Sequence, residues 1–553
     1  MKPIAERAGV SRASLAALLV GGVLLVCGGP ARAQTTADHY QESPDPYKDF
    51  SKLDAYLGDD VWTRFYRYYR LEYGQSAPPT DPNALPSARA GWPATPQTTP
   101  PMPFTEWPYG GATSIGVSRP NTVDSPLMAA IANTDPGKWM SDNHIQMYGW
   151  LNAGANLSNE STHPGGNFPA AYMYTPNTAQ LDQFVTYVER VPDTVQTDHV
   201  DWGFRASALY GENYRYTTAF GIASEQLLRH NSVNGYDFPM MYGELYIPAP
   251  LEGLLLRLGR FISLPDIEAQ LAPNNYMYSH SLTYGYDNYT NTGLQATQAV
   301  TKNFFVQLGV TLGSDTAPWN YGQRLPNQDP NPLYPGSTYL RDPGNTPSVT
   351  GCLRYTTDSG NDNIYLCADA LNGGQYGYNN LQWTGGTLYH KFDDRWHISM
   401  EAYTLSENHV PNLDNPAVQG YIANGGTPFS PQNGFAFNAP NAAHCGSTTK
   451  ETCTSRSVAF LQYTNYRVTD LDNISFRSEF FDDMQGQRTG VKDRYLDFGL
   501  GWQHWFSPQV YIRPEFSYYR SLDAPAFNGN ANAGIAPTSS NAFIAAVDMI
   551  WKF

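Results

Sequence analysis

Ile145-Gln146-Met147-Tyr148-Gly149-Trp150-Leu151-Asn152-Ala153-Gly154-Ala155-Asn156-Leu157-Ser158 is the stretch on which the fold turns. Its odd positions carry Ile, Met, Gly, Leu, Ala, Ala and Leu, and its even positions Gln, Tyr, Trp, Asn, Gly, Asn and Ser. A period of two sends successive side chains to opposite faces, so the segment is a strand with one apolar and one mostly polar face. The pattern returns in Val200, Trp202, Phe204, Ala206, Ala208 and Tyr210 against Asp201, Gly203, Arg205 and Ser207. It returns again in Phe304, Val306, Leu308, Val310 and Leu312 against Gln307, Gly309, Thr311 and Gly313. Further strands are expected at about Ile364 to Leu371, Leu381 to Lys391, Trp396 to Leu405, Val458 to Tyr466, Ile474 to Phe481, Tyr495 to His504 and Gln509 to Tyr519. Lengths near ten residues suit a tilted strand crossing roughly 25 to 30 Å of hydrocarbon.

The connections alternate in length. Thr301-Lys302-Asn303, Asp393-Asp394-Arg395 and Phe506-Ser507-Pro508 are tight, whereas Gly313 to Ser348, Ser406 to Ser457 and Ser521 to Asn541 are long and rich in Pro, Asn and Gly. Short turns at one end and long loops at the other are the asymmetry of a transmembrane barrel. At the C-terminus Phe543, Ala545, Val547, Met549, Trp551 and Phe553 form one apolar face, opposed by Ala546, Asp548, Ile550 and Lys552. Trp551 with a terminal Phe553 resembles the signal read by outer-membrane barrel-assembly machinery. The expected fold is all-β: a transmembrane antiparallel up-and-down barrel of about 16 to 18 strands, preceded by an irregular N-terminal segment. Ile267 to Asn291 either holds a strand or folds inward.

Bulk properties agree with export. Lys2, Arg7 and Arg12 precede the apolar stretch Ala13 to Cys27, and Ala31-Arg32-Ala33 reads as a small-x-small cleavage site, so residues 1–33 are expected to be a signal peptide. Cys27 after Leu24-Leu25-Val26 also permits a lipoprotein reading, although Val26 is bulky for a lipid-attachment site. Losing four basic residues and one acid takes the formal charge from -16 to -19. An acidic chain without clustered Lys and Arg argues against a nucleic-acid partner. No later run of about 18 apolar residues provides a transmembrane helix. A closed barrel is the other structure that pairs every backbone group inside lipid. Thirty-nine Tyr, 12 Trp and 48 Gly with only 15% charged residues fit aromatic-girdled strands and polar loops.

Residues 34–138 form a separate N-terminal helical and Pro-rich segment, periplasmic or inserted in the lumen, and residues 139–553 the barrel. Within the first, Asp49 to Gly74 is read as one amphipathic helix on the spacing of Leu53, Tyr56, Leu57, Trp62 and Tyr66. Ala77 to Pro103, with nine prolines, is a linker or a lumen strap.

In a barrel the polar face looks inward, and parity selects Arg205, Arg215, Arg257, Arg354, Glu401, Arg477, Glu479, Asp497, Arg513, Glu515 and Asp548 as pore-lining. The repeats Arg477-x-Glu479 and Arg513-x-Glu515 suggest charge ladders that either select solutes or hold the wall together. Four cysteines follow the signal, an even number that in an exported chain points to disulfides. Cys352 and Cys367 flank a turn at Ser359-Gly360 with both on the polar face, at a separation a disulfide accepts. Cys445 and Cys453 would tie off a loop. No His-Glu-x-x-His, Gly-x-Ser-x-Gly, phosphate loop or Cys-x-x-Cys occurs, and the 11 histidines are scattered, so no catalytic residue, metal site or cofactor is expected.

Several segments together resemble the OmpL-like outer-membrane β-barrel porins. They are Tyr148-Gly149-Trp150-Leu151-Asn152, Asp201-Trp202-Gly203-Phe204-Arg205 through Tyr210-Gly211, Leu258-Gly259-Arg260-Phe261 and Tyr278-Ser279-His280-Ser281. Arg477-Ser478-Glu479-Phe480-Phe481-Asp482-Asp483, Gly486-Gln487-Arg488-Thr489-Gly490 and Arg513-Pro514-Glu515 complete the set. The resemblance spans about Trp139 to Phe553. It implies a single-chain barrel in the outer membrane of a Gram-negative cell, with lipid and the assembly machinery as partners, and leaves a homo-oligomer open. The expected function is a passive, weakly selective diffusion channel for small hydrophilic solutes. One alternative is a barrel acting as an enzyme or surface adhesin through the loops Ser406 to Ser457 and Ser521 to Asn541. Another is a soluble secreted β protein that binds glycans.

Overall fold

The computed structural model describes residues 57–72, 112–116, 125–320, 345–423, 442–529 and 535–553, apart from positions 229, 231, 263–265, 378–379, 470 and 508. All of them belong to one compact unit, Glu42–Phe553. The expected signal peptide, the Pro-rich stretch, the first part of the expected helix and the centres of the three long loops lie outside the described residues.

Seventeen strands form one sheet. They are β1 Gln146–Ser158, β2 Ala179–Arg190, β3 Asp201–Gly211, β4 Gly235–Asp237, β5 Met241–Ile247, β6 Leu254–Ile262, β7 Thr290–Ala299, β8 Phe304–Ser314 and β9 Ser348–Thr356. The rest are β10 Asp362–Leu371, β11 Gln382–Lys391, β12 Trp396–Pro411, β13 Thr452–Arg467, β14 Asp472–Asp483, β15 Asp493–Ser507, β16 Val510–Ser521 and β17 Asn541–Lys552. Each pairs antiparallel with its neighbours, and β1 closes on β17 from Trp150↔Lys552 to Ser158↔Ile544. Short β4 continues β5 along β3, pairing with Leu209–Gly211 while β5 pairs with Asp201–Ala206, so the wall has sixteen positions. Closure removes every sheet edge, which is what a sheet in lipid requires.

The facing follows parity. Leu157, Trp202, Leu258, Leu308, Leu366, Phe498, Phe516 and Phe543 are exposed on the outside, while Trp150, Arg205, Arg257, Trp383, Arg477, Gln503 and Asp548 are buried on the inside. An outer face rich in Leu and Phe has its natural solvent in hydrocarbon. Leu308→Arg, near the middle of β8, is therefore expected to destabilise the folded barrel in lipid by roughly 2–4 kcal/mol, read by unfolding in vesicles. Loss of less than about 1 kcal/mol would place Leu308 at the interface or in water.

Some elements depart from the sequence reading. β2 carries no clean alternation because a bulge opposite Asn152/Ala153 turns both Asp182 and Gln183 inward. β12 and β13 run on to Pro411 and back from Thr452, so the loop expected at Ser406 to Ser457 is shorter. Beyond the hydrocarbon the ladder still satisfies the backbone, but the outer face no longer needs to be apolar. The expected single helix is broken: Leu57 is helical, Gly58 at φ 83° and the Asp60 cap on the Thr63 amide interrupt the run, and the described helix then spans Val61–Glu72. Trp62 and Tyr66 are exposed rather than packed; Leu57, Arg64 and Tyr68 are the buried residues, against Met128 and Ala129. A helix at Asp135–Asp142 crosses the expected 138/139 boundary, and the wall starts at Gln146.

Candidate functional site

Residues 266–289, between β6 and β7, carry no wall strand and fold inward. They are almost wholly buried, including Met277, Tyr278, His280 and Asp287. Three close approaches seat them. A Cβ on Gly154 would come within 2.3 Å of the Tyr278 phenol oxygen, and Cβ atoms on Gly499 and Gly501 would come within 2.7 and 2.8 Å of Met277. Glycine on the inner face of a strand marks such an approach, and this was the available sign of the insertion in the sequence.

The wall grips this segment through the two Arg-x-Glu repeats. Arg477 Nε donates to Asp497 Oδ2 (2.5 Å), its Nη1 to Ser279 O (2.9 Å) and its Nη2 to Ser279 Oγ (3.0 Å) and Tyr519 Oη (2.9 Å). Arg513 Nε donates to Asp548 Oδ1 (3.0 Å), and its Nη1 to Ala272 O (2.8 Å) and Asn275 O (2.9 Å). The glutamates take amides instead: Glu479 accepts from Leu282 N (2.9 Å) and Thr283 N, and Glu515 from Tyr278 N (2.9 Å) and Ser279 N (3.1 Å). Each arginine thus pairs with an acid on the next strand and holds loop carbonyls, while each glutamate holds loop N–H groups. Such charge-assisted bonds are stronger than neutral ones. The charge pairs across neighbouring strands, Arg477 with Asp497 and Arg513 with Asp548, are thus part of a clamp on the inserted segment.

The other parity residues divide. Arg205 pairs with Glu189 (2.6 Å) and Arg257 with Glu244 (2.8 Å), both inside the wall. Arg354 Nε donates to Asn363 (3.1 Å), and Glu401 accepts from Ile267 N (3.0 Å). Arg215 is not on a wall strand, so strand parity does not aim it. It sits on the one-turn helix Tyr214–Thr217, near Glu212 (3.4 Å) and over the Tyr174 ring. Glu189, Glu244, Asp237 (partner of Arg260) and Glu268 were missed by sequence reasoning, since nothing local distinguishes them from other acids.

The N-terminal segment also reaches inside. Thr113 Oγ1 donates to Glu244 Oε2 (2.7 Å), and Ile115 packs with Tyr246, Leu255, Ala299 and Phe305 at the short-turn end. Cys352 and Cys367 are register partners on β9 and β10, bonded with Cα atoms 4.1 Å apart; Cys445 and Cys453 are bonded at 5.8 Å. Phe553 closes the seam by exchanging backbone hydrogen bonds with Gly149, and its ring stacks on Phe184.

His280 is expected to give the inserted segment a pH response. Its ring stacks on Tyr172, Nε2 donates to Ala269 O (2.8 Å), and Nδ1 is buried without a partner. Burial pushes its pKa down to about 3. The unfolded chain, with an ordinary value near 6.5, takes up the proton first as pH falls. The neutral ring therefore contributes fully above about pH 6.5, and the contribution drains away toward pH 3, by about 4–5 kcal/mol at most. Thermal unfolding between neutral pH and about pH 4 is expected to fall more steeply for the wild type than for His280→Gln. Parallel curves would remove His280 from the response.

A closed antiparallel wall, greasy outside and charged inside, with a segment folded into its interior, defines the class of membrane β-barrel channels. The chain belongs to the family described as "Putative beta-barrel porin-2, OmpL-like", whose sequence profile matches residues 144–553. It is a porin-type barrel. Among solved structures it is similar to an anion-selective porin from Comamonas acidovorans (10% identity, TM-score 0.41, covering 74% of this chain and 99% of that one). It is also similar to the outer membrane channel DcaP of Acinetobacter baumannii (7%, TM-score 0.41, 74% and 97%) and to OmpT of Vibrio cholerae (10%, TM-score 0.38, 74% and 97%). No curated protein matches the chain.

Proposed function

We propose that the chain is an outer-membrane porin that passes small hydrophilic solutes passively and with weak selectivity, along the space between its inserted segment and the inner wall. The observation that supports this reading is the presence of both signs of charge on the inward face of a lipid-facing wall, at the level of the insertion. Arg477, Arg513, Arg205 and Arg257 are each paired with an acid, so none of them presents an unbalanced positive charge to a passing solute, which favours weak over strong discrimination of anions. Arg205, Arg215, Arg257, Arg354, Glu401, Arg477, Glu479, Asp497, Arg513, Glu515 and Asp548 then shape the pathway.

The same reading has residues 1–33 removed on export, residues 34–138 at the periplasmic mouth or in the lumen, and residues 139–553 in the outer membrane, inserted through the Trp551/Phe553 end. Planar bilayers test it. Stepwise conductance with a modest reversal potential in a salt gradient is expected, and a higher conductance when residues 34–138 are deleted. Folded protein without steps would sink the proposal; a strongly selective current would sink the weak-selectivity part.

A further inference from the structure

Asp266 and Asp287 stand at the two ends of the inserted segment, and Glu401 projects from β12 between them. One carboxylate oxygen from each lies within 4.8 Å of the others, and all three residues are buried, at 4, 2 and 1% exposure. Proximity of acids alone signifies little. What sets this group apart is that Asp266 Oδ1, Asp287 Oδ2 and Glu401 Oε1 are each buried without any hydrogen-bond donor. None of the three makes an ion pair with a described lysine, arginine or histidine. Their charged neighbours include further acids: Glu268 and Asp369 near Asp266, Asp315 near Asp287, and Glu479 near Glu401. A wall that pairs Arg477, Arg513, Arg205 and Arg257 with acids leaves this cluster, among the described residues, without an ion-paired cation.

We propose that Asp266, Asp287 and Glu401 form a binding site for one hard divalent cation, Ca²⁺, which closes the neck of the inserted segment and ties it to the wall. Ca²⁺ takes carboxylate oxygens at about 2.3–2.6 Å, so two oxygens on opposite sides of one ion stand about 4.6–5.2 Å apart, and the three oxygens here, none more than 4.8 Å from another, fit around one such ion. Mg²⁺ demands about 2.0–2.1 Å and a near-ideal octahedron and usually keeps several waters, a poorer match to three buried carboxylates. Oxygen-only ligands also disfavour Zn²⁺ and Cu²⁺, which prefer imidazole and thiolate. The ion would offset most of the charge of the three carboxylates and occupy the oxygens that lack donors. Its structural effect is specific: the two chain ends and β12 become ligands of the same centre, so the neck cannot splay without losing the ion.

The test uses the refolded full-length barrel in detergent, stripped with EDTA, desalted, and titrated with CaCl₂ by calorimetry near neutral pH. Binding of one Ca²⁺ per chain, with a rise in Tm that EDTA reverses, is expected. Asp287→Asn and Glu401→Gln should each weaken binding at least tenfold and abolish the Tm response, while Asp358→Asn, in an exposed turn, should leave both unchanged. If Asp287→Asn does not fold, Glu401→Gln and terbium luminescence excited through the tyrosines, with Ca²⁺ as competitor, answer the same question. A wild-type barrel whose Tm ignores both Ca²⁺ and EDTA and gives no binding heat overturns the proposal, because the carboxyls then bury their charge by protonation. Binding of undiminished strength in both variants overturns it as well, by placing the ion elsewhere.

Discussion

Arg477→Ala is expected to lower the stability of the folded barrel by about 3–5 kcal/mol, the usual cost of breaking a buried ion pair from one side. The guanidinium is fully buried, and its removal strands Asp497, Glu268 at 3.7 Å and the Ser279 carbonyl together. Arg477→Lys should recover only part of this, since an ammonium cannot reproduce the planar fork that serves Asp497, Ser279 and Tyr519 at once. Urea unfolding of the refolded barrel in detergent, followed by tryptophan fluorescence, checks the order wild type, Lys, Ala. A loss below about 1 kcal/mol for the alanine variant, the range of a solvated ion pair, would show that water fills the space around Arg477 and that the clamp on the inserted segment has no energetic weight.

The second large effect concerns passage. Replacing Ala269–Tyr286 with a short Gly/Ser linker is expected to raise single-channel conductance severalfold, because this segment fills the interior between Gly154 on one side and Gly499 and Gly501 on the other. The milder pair Glu479→Ala and Glu515→Ala leaves the segment in place but removes the acceptors of four backbone amides. Each buried donor left unpaired costs about 1–3 kcal/mol, so the segment should fluctuate and the open-channel current become noisy before it grows. Heat-modifiable migration in gels establishes that each variant is folded. Unchanged conductance in a folded linker variant would mean that solutes do not pass the insertion, and the proposed pathway would have to lie elsewhere.

The two effects share an origin that sequence parity could only half disclose. Parity placed Arg477, Glu479, Arg513 and Glu515 on the inner face, and they are there. It could not say that Arg477 turns to Asp497 on β15, or that Arg513 meets Asp548 across the β16–β17 ladder. Residues two apart on one strand share a face but are poor partners, whereas a neighbouring strand brings its side chains opposite or diagonally near. The β2 bulge was illegible for a related reason: an inserted residue resets the alternation, and only pairing with β1 reveals where.

By itself, the order of residues determined which side of β1, β3, β8 and β17 meets lipid, because a period of two is a local property that a run of residues reports independently of the rest of the chain. It determined also that the long connections would gather at one end, and it put Cys352 opposite Cys367 across their hairpin. The course of residues 266–289, the exchange of partners around Arg477 and Arg513, and the convergence of Asp266 and Asp287 on Glu401 were decided only by the closed tertiary structure. Those arrangements join backbone amides, carbonyls and carboxylates from sites between 20 and 241 residues apart, and such groups are alike everywhere in a sequence until closure of the barrel chooses which of them meet.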